Sequence, residues 1–472
     1  MTSMRLPTLT APWAAVVLAV CAALQAVYNT TLPLSGDEAY YWVWAHTLQA
    51  GYHDHPPGIA VLIALTTALF GDSVFAVRLV AVLCMTGAIA YIRRTARDVY
   101  GEPAATLALV LALALPATEA GFTLATPDSP LVLFWSAAVF HARRAVAGEG
   151  RWRDFLLAGL FVGLAMASKY TAVLLPGAVA VYLAARRRDL LLSGRTWAAV
   201  AVAAAVFSPV LAWNISHGLE SFAFQYKHGS GAGFAIRWDH MLEFVGGQFL
   251  LVSPVLFAVL ALRAAVWRGW WRDEGPAFLM AVFLLPLAFF LYKSLFAKIQ
   301  LNWAVPVYVS AIPPLADFLL RRDFRRTAVA GVGVALLMTA ILKWPLAFGL
   351  TGKLNPHNRL HGPATAAAVV AELRRPGDAL FADHLQRASL LRFLLADHPS
   401  VHIPTQSRFS EYTRWDWGLD FRAMHGLYLS TDDRLAELRR VFGSAELLKE
   451  VVAARPGYRT ETYYVYRVGG PG

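Results

Sequence analysis

The sequence predicts an α-helical polytopic membrane protein, with about eleven transmembrane helices over residues 1–350 and a small C-terminal α/β soluble domain over residues 351–472. Three observations predict it. The 472-residue chain is 57% hydrophobic and only 15% charged, with a mean hydropathy of +0.48. Apolar stretches of membrane-spanning length recur along its first 350 residues, where a soluble chain would interrupt them with polar faces. Beyond residue 350 those stretches give way to mixed charge, over a length that supports a separate core.

The spans fall at 12–32, 74–92, 103–118, 129–147, 154–167, 170–185, 196–213, 243–262, 276–292, 301–320 and 327–348. Those at 103–118, 154–167 and 170–185 are short for a bilayer core of about 30 Å. The first is too long for a signal-peptide core and lacks a small-residue cleavage site, so it is expected to remain as an anchor. Arginines such as Arg93, Arg94, Arg97, Arg143, Arg144 and Arg186 crowd into alternate loops. By the positive-inside rule those loops face the cytoplasm. The 34–58 loop and the C-terminal domain then face the periplasm. All seven lysines lie on or near that outer side. The net charge of +11 is largely this topological arginine, and no basic patch interleaved with aromatics suggests nucleic acid. Cys21 and Cys84 sit inside spans and form no disulfide framework. Gly159 and Gly163, four apart, are a helix-packing signal.

In the soluble domain the pattern predicts a helix at 363–374, a turn at Pro376-Gly377, a strand at 378–382, a helix at 384–396 and a strand at 400–403. Strands at 425–430 and 461–467 then flank a helix at 433–441. His384, His398, His402 and His425 follow no metal-ligand spacing.

The chemistry concentrates in the 34–58 loop. Acids are scarce in this chain, so Asp37 and Glu38 at a membrane edge call for a reason. Ser35 or Asp37 can cap a short aromatic-rich helix suited to the membrane interface. Downstream, Tyr52-His53-Asp54-His55-Pro56-Pro57 presents a carboxylate between two imidazoles, and the prolines keep it out of the next helix. A metal held there needs a remote ligand. Other loops on the same side supply Asp128, Lys169, Lys227, His228 and Lys298. Lysines facing carboxylates suit a reaction whose leaving group is a phosphate: cations stabilise the leaving charge while one carboxylate deprotonates the acceptor.

Five motifs carry a resemblance: Asp37–Trp42 (DEAYYW), Asp54–Pro57 (DHPP), Thr126–Pro130 (TPDSP), Ser168–Thr171 (SKYT) and Asn302–Pro306 (NWAVP). They resemble the bacterial branch of the GT-C glycosyltransferases, which includes protein mannosyltransferase-like proteins and the aminoarabinose transferases of lipid A. The resemblance implies the GT-C fold and inverting transfer of a sugar from a polyprenyl-phosphate donor to an envelope lipid or lipopolysaccharide acceptor on the periplasmic face. It implies that Asp37 is the catalytic acid residue with Glu38 beside it. It implies that His55, Lys169, Lys298 and Asp128 serve the donor phosphate, and it associates Asp54 and His228 with a divalent metal cation. Aminoarabinose transferases usually place a lysine where this chain has His55, and DHPP-bearing relatives include candidates for uronic acid transfer to lipopolysaccharide. The sugar stays open. The alternatives are a protein O-mannosyltransferase-like enzyme, which keeps the mechanism and changes the acceptor, and a secondary transporter, which would want its carboxylates in mid-span.

Overall fold

The computed structural model describes residues 9–148, 150–230, 235–321, 324–405 and 408–469. The chain forms two compact units, Met1–Asn29 with Gln49–Ala340, and Thr30–Leu48 with Ile341–Gly472. The first-loop helix that carries Asp37 is thus part of the second unit.

The first unit is helical, and each predicted span coincides with a helix or a bent or 3-10/α helix pair. Among the described residues six helices are long and apolar enough to cross a membrane: Ala11–Asn29, Val74–Tyr100, Gly194–Ser216, Glu274–Ser294, Leu301–Arg321 and Arg325–Lys343. Two bent pairs, Glu102–Ala114 with Pro116–Thr123 (64°) and Trp238–Val252 with Pro254–Ala265 (108°), bring the number to eight if each pair is one broken span. Proline at the start of each second member explains the break, since it supplies no N–H to continue the helical ladder. Asp128–Val146, Trp152–Met166 and Leu174–Arg186 complete the set. The protein is a multi-pass membrane protein.

The Trp152–Met166 helix packs on Gly194–Ser216 through the small-residue pair. A Cβ on Gly159 would come within 2.2 Å of the Ala199 carbonyl, and one on Gly163 within 2.7 Å of Val206 Cβ. Several short helices were not foreseen, among them Glu220–Ser230 and Gly58–Phe70. Gly58–Phe70 is apolar but only 13 residues long, too short to register as a span.

Buried polar groups in this unit answer one another. Gln25 Nε2 donates to Asn29 Oδ1 and Glu119 Oε1, both at 3.0 Å, Asn29 Nδ2 donates to the Phe122 carbonyl at 2.8 Å, and Arg78 Nη1 donates to the Asn29 carbonyl at 3.0 Å. These bonds lock the first helix to its neighbours.

The second unit is built on a five-stranded sheet. Its strands are β1 (Ala379–Ala382), β2 (Val401–His402), β3 (Gly426–Ser430), β4 (Ala445–Ala453) and β5 (Glu461–Val468), in the order β2-β1-β3-β5-β4. β1 pairs in parallel with β2 and β3, while β5 pairs antiparallel with β3 and β4. Helices Gly362–Leu373, Leu385–Leu394 and Leu435–Phe442 stand where the periodicity predicts them. The added strand β4 escaped the pattern because Glu446, Lys449 and Glu450 make it a charged sheet edge rather than an apolar alternation.

Candidate active site

The Gly36–Ala45 helix opens with a reciprocal cap. Ser35 Oγ accepts from the Glu38 amide at 3.3 Å, and Glu38 Oε2 accepts from the Ser35 amide at 2.9 Å. Glu38 is fully buried by this arrangement. Its neighbour behaves oppositely: Asp37 is exposed, and its Oδ1 accepts from Gln386 Nε2 at 2.7 Å. Gly36 makes that approach possible, because a Cβ there would lie 2.4 Å from Gln386 Cβ.

The aromatic face of this helix, whose composition suggested a membrane interface, packs on side chains of the C-terminal domain. Tyr40 stacks on Tyr412 at 6.0 Å and accepts a hydrogen bond from the Glu411 amide. Trp42 is fully buried between Phe393 at 5.1 Å and His398 at 5.0 Å. The aromatics are the core that ties the helix to the C-terminal domain. Gln386 itself lies in the first turn of Leu385–Leu394, whose cap is the His384 ring accepting from the Gln386 amide at 3.4 Å. Burial, reinforced by the positive charge of Arg387, holds His384 below the usual imidazole range.

In the first unit the other four motifs converge. The Gly58 amide donates to the Ala167 carbonyl at 3.0 Å, and a Cβ on Gly58 would lie 2.8 Å from Ser168 Oγ, so the DHPP loop abuts SKYT. Lys169, only 6% exposed, donates through Nζ to both Asp128 oxygens at 2.8 and 2.9 Å. Asn302 Nδ2 donates to Asp128 Oδ2 at 2.8 Å and joins NWAVP to the same point. Such a buried ion pair needs its remaining lone pairs satisfied, and Asn302 does this. Asn302 was within a recognised motif but not singled out. Asp128, expected to serve the donor phosphate, accepts from both Lys169 and Asn302.

The DHPP loop is held from both sides. The Tyr52 amide donates to the His55 carbonyl at 3.1 Å, and Gln225 Nε2 donates to the Asp54 carbonyl at 2.6 Å. His53 packs on Phe224, with Nδ1 3.7 Å from Glu220 Oε1. Asp54 is buried and His55 half-buried. Lys298 is separate in character, a surface residue paired with Glu243 at 2.7 Å. Lys227 is exposed on the helix that supplies Gln225.

The expected metal pair fares differently, because the side chain of His228 lies outside the described residues. Among the described residues no group of three or more His, Cys, Asp and Glu side chains could hold a metal ion. The described donors around Asp54 do not fit a coordination shell, and no step below passes through one.

Residues 54–213, which hold three of the convergent motifs, match the family model of dolichyl-phosphate-mannose-protein mannosyltransferases. The lipid A galacturonosyltransferase RgtD of Rhizobium johnstonii is 30% identical over 368 residues, 75% of this chain and 71% of the relative. The chain belongs to the GT-C glycosyltransferases. It is a membrane glycosyltransferase. An undecaprenyl phosphate-alpha-4-amino-4-deoxy-L-arabinose arabinosyl transferase of Pseudomonas aeruginosa is 31% identical over 335 residues, 66% of this chain, and the match spans 58% of that relative's length. In fold, this GT-C chain is similar to ArnT from Cupriavidus metallidurans bound to undecaprenyl phosphate, at a TM-score of 0.70 and 16% identity over 98% of this chain and 100% of that one. An archaeal oligosaccharyltransferase, AglB from Archaeoglobus fulgidus, matches at a TM-score of 0.51 and 12% identity, over 89% and 69%.

Proposed function

We propose that this glycosyltransferase moves a sugar from a polyprenyl phosphate to a lipid A-type envelope lipid, with inversion, on the periplasmic side of a bacterial inner membrane. The observation that carries the reading is the joining of four motifs in one cluster, Asp54-His55-Pro56-Pro57, Asp128, Lys169 and Asn302. The names of the relatives support the substrates: one acts on lipid A and another uses an undecaprenyl-phosphate sugar. A uronic acid is the sugar we favour, because the galacturonosyl relative matches three quarters of this chain and His55 stands where aminoarabinose enzymes carry lysine.

In this reading Asp37 is the general base. Gln386 holds Oδ1 and leaves Oδ2 to take the proton from the acceptor hydroxyl. The acceptor oxygen attacks the anomeric carbon as the bond to the phosphate oxygen breaks on the opposite face. The departing phosphate carries the charge, and Lys169 with His55 stabilises it, with Lys298 engaging the donor at the surface. Asp128 and Asn302 fix Lys169 in place rather than touch the donor. Glu38 forms the helix cap and takes no part in proton transfer. The C-terminal domain contributes Gln386 as a positioning residue for Asp37.

The test is mass spectrometry of lipid A from cells lacking the protein, complemented with the native chain or with Asp37→Asn. A hexuronic acid increment present only with the native chain supports the reading. A pentosamine increment would replace the sugar, and an increment confined to proteins would replace the acceptor.

A further inference from the structure

The Arg325–Lys343 helix is long and apolar enough to cross a membrane, and it presents apolar side chains outward, with Val329 73% and Leu336 51% exposed. The apolar exposure does not end where the helix ends. In residues 344–354 four of the five large apolar side chains are exposed: Trp344 at 54%, Leu346 at 41%, Phe348 at 44% and Leu354 at 72%. Scattered surface leucines need no explanation, whereas four such side chains gathered in one short segment do. The transfer chemistry uses none of them.

The segment has a defined backbone. It forms two 3-10 turns, Pro345–Phe348 and Gly352–Leu354, and the Leu350 amide donates to the Pro345 carbonyl at 3.0 Å. It is then fastened to the turn between β4 and β5. The Gly352 amide and Asn355 Nδ2 both donate to the Gly457 carbonyl, at 3.1 and 3.2 Å, and Asn355 is fully buried. Gly457 has a φ of +80°, and a Cβ there would lie 2.5 Å from Leu346 Cδ2. A buried amide and a close glycine thus hold the backbone while the apolar side chains stay exposed.

Continuity with the membrane helix names what covers the strip. Trp344 directly follows Lys343, the last residue of that helix, and at a 3-10 rise of about 2 Å per residue Phe348 lies within about 10 Å of the helix end, the depth of the headgroup boundary. Lys343 Nζ is 5.8 Å from the Trp344 ring centre, which sets a cation and an indole at the level where a bilayer favours both. Residues 343–371 hold Lys343, Lys353 and Arg359 and no acid, a composition suited to a surface of lipid phosphates. We infer that residues 344–354 are an interfacial seat: Trp344, Leu346, Phe348 and Leu354 insert into the headgroup boundary of the bilayer and, through the Gly457 turn, hold the sheet-bearing unit at the lipid surface. The seat is independent of the sugar-transfer reading, because none of its residues belongs to the five motifs.

The full-length protein, with Cys21→Ala and Cys84→Ala and a bimane on Phe348→Cys or Leu354→Cys, is reconstituted in nanodiscs at a single copy per disc. Quenching by doxyl-labelled phosphatidylcholine is compared with quenching by aqueous iodide. A bimane on Ala436→Cys, at an exposed position of the Leu435–Phe442 helix, is the reference. The seat predicts doxyl quenching at 348 and 354 at least about three-fold above the reference, with iodide quenching reduced to match. Reference-level doxyl quenching with full iodide quenching at both positions overturns it. Shielding from both quenchers, or shielding that arises only with two copies per disc, overturns it in favour of a protein-covered face or a second copy of the chain. A second measurement keeps the native cysteines. Hydrogen exchange of residues 344–354 in nanodiscs should be at least about ten-fold slower in the native chain than in Trp344→Ser/Phe348→Ser/Leu354→Ser, with the β3 amides unchanged as the sign that the unit stays folded. Equal exchange of the segment in the two proteins overturns the seat.

Discussion

The two ends of the membrane helices hold their positive charge in different ways. At the motif end Lys169 is buried, and its ammonium is clamped by both oxygens of Asp128, which Asn302 holds in turn. At the other end Arg143 and Arg144 terminate the helix that Asp128 begins, Arg186 terminates the one that follows Lys169, and Arg321 terminates the one that follows Asn302. A 19-residue helix places the two ends about 28 Å apart, a hydrocarbon thickness. Arg321 has a side chain 71% exposed and a partner on its own helix. Lysine is a point charge that a surrounding site can position, while arginine stays charged and reaches towards phosphate and water. One end is organised for chemistry and the other for the membrane surface.

The sharpest way to break this contrast is to remove the clamp. Asp128→Ala leaves the Lys169 ammonium buried without its counter-charge, a loss of about 3–5 kcal/mol. The folded, monodisperse fraction in detergent should fall steeply, whereas Arg321→Ala should leave it unchanged; equal yields for the two would dissolve the distinction. Next in size is the cap. Glu38→Ala removes one half of the reciprocal cap and should cost about 1 kcal/mol. Its thermal midpoint should drop while the transfer rate per folded molecule stays within a few-fold, and a rate loss as large as that of an Asp37 variant would put Glu38 back into the chemistry.

Acidification gives a graded effect on the second unit. Burial and then Arg387 hold the folded His384 below its unfolded value of 6.5, so the unfolded chain takes up the proton first. The stability tied to neutral His384 is present above about pH 6.5 and is lost as pH falls through the depressed value. A His384→Asn variant, which keeps a cap acceptor, should flatten that part of the stability curve. The smallest change is at Lys298. Its pair with Glu243 is mostly exposed, so Lys298→Ala should leave the thermal midpoint where it is. The same variant should raise the apparent KM for the donor, and an unaltered KM would remove Lys298 from the donor's path.

Much of the membrane unit was legible because apolar runs of spanning length need no partner to be recognised. Gly58–Phe70 shows the boundary of that rule, being apolar but too short to stand out. The site was legible as residues and not as pairs. Lys169 and Asp128 are 41 positions apart, and Asn302 lies 174 positions beyond Asp128, so their mutual roles exist only once the helices have assembled. Glu38 looked like the twin of Asp37 until the Ser35 cap claimed it. Gln386, 349 positions from Asp37, carried no signal: an amide in an amphipathic helix looks like any surface residue. The aromatic run at Tyr40–Trp44 had the composition of an interfacial helix, and only the partners Tyr412 and Phe393 distinguish a buried core from a membrane edge.

The measurement that bears most directly on the account is single-turnover sugar transfer by purified, reconstituted protein, comparing the native chain with Asp37→Asn at saturating polyprenyl-phosphate donor. The account predicts a rate lower by roughly two to four powers of ten, with donor affinity and thermal midpoint unchanged. A folded Asp37→Asn protein that transfers sugar at the native rate would contradict it.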